Sequence, residues 1–284
     1  MKNLMVLATL LLLFSNLFAQ KRDKDEIWLL VRGDDIGSTH AANVGCIESY
    51  KNGIMRSVEL MVPCPWFPEA VKLLNDNPGL DAGLHLVLTS EWENIKWRPL
   101  THCPSLVDDN GFFFPMVWQQ KDFPAKTSLQ SSSWKIEEIE QELRAQIEMG
   151  LRNVPHISHM GGHMGFESLD PKIQELTKRL AIEYKIEINE ENYGVGWFNA
   201  WGKAKTVDER IEKLTQNLQD LKPGVYIFVD HPAIASAEME GISHIGYNNV
   251  SADRDAVTKV WTSEKIKAMI TSRKIKLISY KDLK

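Results

Sequence analysis

Alternation constrains this chain more than any other feature of it. From residue 27 onward, short apolar runs closed by turn residues take turns with longer stretches of helical period. Ile27-Trp-Leu-Leu-Val-Arg32 is apolar up to its last residue and ends in Gly-Asp-Asp, the pattern of a buried strand opening into a loop. Ala41 to Asn52 reads as a helix stopped by Gly53, Ser57 to Val62 as a strand, Pro68 to Asn75 as a helix ended by an Asn-Pro-Gly turn, and Ala82 to Leu88 as a further strand. Ile136 to Leu151 keeps its apolar positions 136, 139, 143, 147 and 151 on one helical face. Val154 to Ile157 then reads as strand, Pro171 to Tyr184 as helix, Ile186 to Ile188 as strand, Val207 to Leu221 as helix, Gly224 to Val229 as strand, Ser263 to Ser272 as helix and Ile275 to Ile278 as a final strand. Such alternation predicts a mostly parallel sheet wrapped by helices, closed or nearly closed into an α/β barrel. Residues 90–134, rich in proline and tryptophan, interrupt the pattern and read as a long, lid-like insertion.

The N-terminus has a different character. Lys2 precedes an apolar run from Leu4 to Leu13, followed by Ser15, Asn16 and the small Ala19, which predicts a secretory signal peptide at 1–19 cleaved after Ala19. The run is shorter than the roughly 20 residues a spanning helix needs, so stable membrane insertion is not expected. The remaining residues, 20–284, are expected to form one domain in the periplasm or outside the cell. A formal net charge of -5, with no basic block, argues against a nucleic-acid partner. Cys46, Cys64 and Cys103 allow one disulfide at most, or three buried thiols. A homo-oligomer is left open.

Residues able to do chemistry fall at predicted strand ends. Asp34 and Asp35 follow the first strand, where parallel α/β folds place their active sites. His85 lies in an apolar strand, His156, His159 and His163 cluster among Gly161, Gly162 and Gly165, and His231 follows the strand that ends near Val229. Each has a plainer reading: a solvated Asp-Asp turn, a satisfied core histidine, a surface His-Gly loop. Together they form a mixed nitrogen and oxygen set suited to one divalent ion such as Zn, Mg, Co, Ni or Mn, with positions left open as in a catalytic site.

These residues lie in segments that resemble the YdjC-like carbohydrate deacetylases: Leu29-Leu-Val-Arg-Gly-Asp-Asp-Ile-Gly37 with Asn43, Gly53-Ile-Met-Arg-Ser57, Leu60-Met-Val62, Gly83-Leu-His-Leu86, Trp97-Arg-Pro99, Ser158-His-Met-Gly161, Pro223-Gly224, His231-Pro232 and Leu277-Ile-Ser-Tyr280. The resemblance covers nearly the whole mature chain. It implies a distorted barrel that removes N-acetyl groups from amino sugars or chitooligosaccharide-like substrates. It also implies Asp34 as general base, Asp35, His85 and His159 as metal ligands, and His231 as the acid that protonates the leaving amine. Two positions depart from the pattern. Ile157 and Ser158 precede His159 where many members carry an Asp-x-His sequence, which leaves His156 and His163 as alternative ligands, and Arg32 stands where asparagine is usual. Arg254 is an expected support for the substrate or the Asp pair. Trp97 and Trp197, among nine tryptophans, are candidates for stacking on sugar rings, with core or lid packing as the plainer alternative. A metal hydrolase of another acyl amide or ester, and a noncatalytic carbohydrate-binding relative, are the competing readings.

Overall fold

The computed structural model describes residues 24–284, so the expected signal peptide lies outside the described residues. Strand β1 (Ile27–Ile36) leads to helix α1 (His40–Lys51), then β2 (Ser57–Leu60), α2 (Phe67–Asp76) and β3 (Asp81–Leu86). After the insertion come α3 (Ile136–Asn153), β4 (Ile157–Gly162), α4 (Pro171–Glu183), β5 (Gly196–Trp197), α5 (Val207–Asp220), β6 (Gly224–Asp230), α6 (Val250–Trp261), α7 (Glu264–Ser272) and β7 (Lys276–Ile278). The sheet order is β4-β3-β2-β1-β6-β5, every pairing is parallel, and β7 joins β1. The predicted α/β barrel is therefore present as a curled parallel sheet. Its gap between β4 and β5 is spanned by a single bridge, His159 to Ile188.

β1 is the central strand because it is buried on both faces. β6 runs along it from Ile27 to Gly33, while β7 pairs with Trp28 to Leu30 and β2 with Arg32 to Ile36. Successive side chains of a strand point to opposite faces, and the two faces here differ in kind. Leu29, Val31, Val58, Leu60, Ala82 and Leu84 pack in the main core cluster with α-helical residues such as Leu74, Leu143 and Val257. On the concave side, Arg32, Asp34, Ser57, Glu59, Asp81, His85 and His159 meet in a network of hydrogen bonds and ion pairs. Barrel interiors are usually filled by branched apolar residues. This one has an apolar floor of Trp28, Leu30, Val225, Ile227 and Ile278 and is polar towards the strand ends, where its buried charges have to be paired to be tolerated.

Several expectations change. The His-rich turn is part of the sheet: β4 begins at Ile157, after the Pro155 turn, and carries His159 inside it, so the strand expected at 154–157 lies three residues further on. Ile186 to Ile188 contributes one bridge rather than a strand. The helix Val250–Trp261, unanticipated, carries Arg254. Residues 90–134 lack long regular elements, yet they are built into the core and do not form a loose lid: Trp92, Trp97, Leu106, Phe113, Val117 and Leu129 are all buried. Their anchor is α3, where buried Glu142 accepts from the backbone of Leu100 (3.0 Å) and Thr101 (2.9 Å); one turn on, Gln146 both accepts from and donates to the backbone of Val87, just ahead of the insertion. Apolar periodicity revealed the helix but not these two polar side chains on its inner edge. Cys46, Cys64 and Cys103 are free and buried, and burial pushes every thiol up, Cys103 to about 12.

Candidate active site

Asp34 and Asp35 occupy a bulge in β1, where the register with β2 shifts between Gly33 and Ile36. A bulge re-aims side chains. Asp35 takes φ 71°, a left-handed conformation that is costly for a residue with a Cβ. The result is two adjacent carboxylates, both buried, with separate partners.

Asp34 accepts from Arg32 Nε at 2.8 Å and from Nη2 at 3.1 Å. The same guanidinium reaches Glu59 Oε1 at 2.9 Å, Glu190 Oε1 at 3.1 Å and the Tyr280 hydroxyl at 2.7 Å. Burial alone would raise the Asp34 pKa, but Arg32, His85 and His231 bring it below the usual carboxylate value. Asp35 has a different set of neighbours. Its Oδ1 lies 3.5 Å from His85 Nε2 and 3.5 Å from His163 Nδ1, and those two nitrogens are 3.2 Å apart. Arg254 Nη2 stands 2.8 Å from Asp35 Oδ2, but no aligned hydrogen bond reaches either oxygen.

Each imidazole is oriented by a carboxylate on its far nitrogen. His85 Nδ1 is 2.6 Å from Glu59 Oε2, and His163 Nε2 is 3.0 Å from Glu91 Oε2. Such partners fix the tautomer and aim of a ligating histidine. Sequence reading missed both carboxylates, although a lone glutamate amid the apolar Val58-Glu-Leu60 was a signal, because a strand buries charge only where it is paired. Glu59 also accounts for Gly161: a Cβ there would lie 2.9 Å from Glu59 Oε1. Glu59→Gln is expected to weaken cation binding about 10–100-fold, the usual effect of removing such a partner, as measured by competition with a chromogenic chelator. Wild-type affinity in the variant would deny Glu59 this role.

His159, expected as the third ligand, lies outside this cluster. It stacks on Tyr280 with ring centres 3.7 Å apart, Nδ1 lies 2.9 Å from Ser158 Oγ, and Nε2 has no hydrogen-bond partner. Gly83 leaves the room that the ring fills. Burial, with Arg32 and Lys281 nearby, keeps its pKa well below the ordinary imidazole value, so it is neutral. His156 lies at the opposite end of β4, before its first residue, where Lys281 and Asp81 are its charged neighbours. His163 takes the place expected for His159 because β4 ends at Gly162 and the chain turns there through left-handed Met164 and Gly165.

The remaining candidates divide. His231 follows β6, whose Asp230 is in register with Gly33, so it stands at the level of Asp34. Its side chain is partly exposed, and Asp35 and Asp230 raise its pKa against the opposing effect of burial. Trp97 is buried and donates its indole N–H to Thr89 O at 2.7 Å, so it backs the site and has no face free for a sugar. Trp197 is 71% exposed.

The donor set fits a divalent cation. Metal–ligand bonds of about 2.1 Å at 90–109° put ligand atoms about 3.0–3.4 Å apart, close to the 3.2–3.5 Å between the Asp35, His85 and His163 donors. Charge leads to the same conclusion. Four buried carboxyl groups, Asp34, Asp35, Glu59 and Glu91, face two guanidiniums, Arg32 and Arg254, a deficit of positive charge, and burial raises the Glu59 pKa. Without an ion, protons answer this deficit: burial opposes a charged His163, yet Glu91 and Asp35 push its pKa up to about 10. A second group, Asp34, Glu59 and His85, is also close enough to hold an ion, but Arg32 already sits on both of its carboxylates.

Fold and site together define an α/β half-barrel with a carboxylate–imidazole cluster at its strand ends. The chain belongs to the YdjC-like family, whose model matches residues 28–272. It is 29% identical over 270 residues to carbohydrate deacetylase 1 of Listeria innocua serovar 6a, covering 90% of this chain and 99% of that one. It is 28% identical to the carbohydrate deacetylase of Thermoanaerobacter pseudethanolicus, again over 270 residues with the same coverage. Among solved structures, a candidate cellobiose-phosphate cleavage protein from Enterococcus faecalis V583 superimposes with a TM-score of 0.69 at 24% identity, covering 91% of this chain and 99% of that one. That likeness is one of fold.

Proposed function

We propose that this chain is a carbohydrate deacetylase that hydrolyses N-acetyl groups of amino sugars with the help of a divalent cation. The observation that carries the reading is the triangle of Asp35 Oδ1, His85 Nε2 and His163 Nδ1 beside a separate carboxylate, Asp34. The names of its relatives supply the substrate class.

A divalent ion held by Asp35, His85 and His163 would polarise the acetyl carbonyl and lower the pKa of water. The protein's own groups do the rest. Asp34 accepts a proton from the attacking water as the new C–O bond forms; each of its oxygens keeps a lone pair beyond the one given to Arg32. Arg254 holds Asp35 in its ionised form. His231, its pKa raised, donates a proton to the nitrogen as the C–N bond breaks, so that acetate and a free amine leave.

The test is acetate release from N-acetylglucosamine oligosaccharides by the purified protein with Zn, Co, Ni, Mn or Mg added. Turnover that chelator abolishes and metal restores is expected; bound metal without acetate release from any N-acetylated sugar would sink the reading. We infer also that the chain is exported, on the strength of the apolar run Leu4 to Leu13 and the small residue at Ala19. The same acetate assay on the exported fraction of producing cells checks it. Among the described residues, no helix is long and apolar enough to cross a membrane.

A further inference from the structure

Asp34 stands where β1 and β2 fall out of register, so regular pairing with β2 does not fix its place. Its carboxylate is held instead by one whole edge of a guanidinium, Arg32 Nε on Oδ1 at 2.8 Å and Nη2 on Oδ2 at 3.1 Å. Two parallel bonds fix the plane of a carboxylate as well as its position. The guanidinium is itself flat, so that plane depends on what grips its other edge. There Nη1 donates to the Tyr280 hydroxyl at 2.7 Å and to Glu190 Oε1 at 3.1 Å, and lies 2.9 Å from Glu59 Oε1. Arg32 departs from the asparagine usual at this position, and only the longer side chain can make such a span.

Tyr280 is rigidly mounted. It is buried in the short turn after β7, its ring lies on His159, and its backbone N–H donates to Asp81 Oδ2 at 3.0 Å and to Ser57 Oγ at 3.3 Å. The hydroxyl donates to Glu190, which leaves its lone pairs for Arg32. Burial, with Glu190 and Glu59 adding to it, outweighs Arg32 and holds the pKa well above the ordinary phenol value, so that proton stays in place. We propose that Tyr280 is a positioning residue for the hydrolysis: by holding the far edge of Arg32, it fixes the direction from which Asp34 meets the attacking water. The inference rests on the deacetylase reading above and gives that reaction a residue it did not use.

Tyr280→Phe removes the hydroxyl and keeps the ring on His159. It is expected to lower kcat for acetate release roughly 10- to 100-fold, the scale on which a misplaced catalytic group acts. KM and metal content should stay at their wild-type values, and a melting curve should show a folded protein. In Asp34→Asn no base is left to aim, so adding Tyr280→Phe there should change kcat by less than about 2-fold. A merely structural role would lower both backgrounds alike. A crystal structure of metal-loaded Tyr280→Phe gives an arm independent of turnover, with Arg32 expected to release at least one Asp34 oxygen. Equal losses in the two backgrounds, or wild-type kcat with both Arg32 bonds to Asp34 intact, would overturn the proposal. A displaced Arg32 in the variant, where even the wild type releases no acetate from any sugar, would uphold the hold of Tyr280 on Asp34 and sink the deacetylase reading.

Discussion

Replacing His163 with alanine is expected to empty the cation site and to cut acetate release by at least about 10³-fold, the scale on which transition-state charge stabilisation is lost. His159→Ala should leave metal content near one ion per chain. The contrast follows from geometry: His163 Nδ1 is 3.5 Å from Asp35 and 3.2 Å from His85 Nε2, whereas His159 is stacked on Tyr280 beneath the cluster. Metal content by emission spectroscopy, with a melting curve to separate loss of ion from loss of fold, checks both variants. Metal retained in His163→Ala and lost in His159→Ala would reverse the assignment.

Asp34→Asn should keep the ion and lose roughly 10²–10⁴-fold in kcat, the usual contribution of a positioned general base. Its pH profile carries more information than its size. Arg32, His85 and His231 outweigh burial and hold the Asp34 pKa below the ordinary carboxylate value. The base form is thus present above that lowered pKa and is lost only as pH falls through it, and a nearby cation acts in the same direction. Wild-type kcat should therefore stay level from neutrality into mildly acid pH and decline only below the ordinary carboxylate range, while the residual activity of Asp34→Asn should lack that acid limb. An acid limb persisting unchanged in the variant would assign it to another group.

How much of this was legible beforehand depends on what each residue signals locally. Asp34, His85 and His231 stood out because charge or imidazole interrupts or ends an apolar run, and parallel strands deliver such positions to one end of a sheet. The curled sheet itself followed from alternation. His159 was named because the resemblance implied it, with His156 and His163 as alternatives; with the strand at Ile157–Gly162, His163 is the strand-end residue that reaches the cluster. Glu59 and Glu91 escaped because a single glutamate carries no periodicity, and its role exists only across strands, 26 residues from His85 in one case and 72 from His163 in the other. Trp97 looked like a candidate sugar platform in a lid until Glu142, a polar residue on an otherwise apolar helical edge, proved to bind the insertion into the core.

The two unlike faces of the sheet divide the labour of this molecule. Most of the drive to fold comes from the outer layer, where strands meet helices, since apolar burial is the largest favourable contribution. The concave side adds a smaller apolar cluster around Trp28, Leu30 and Ile227, and its strand-end part answers to a different demand, mutual neutralisation. The charged residues at the strand ends can therefore be exchanged in matched sets while the apolar layers stay as they are, which gives such a scaffold freedom to acquire new chemistry.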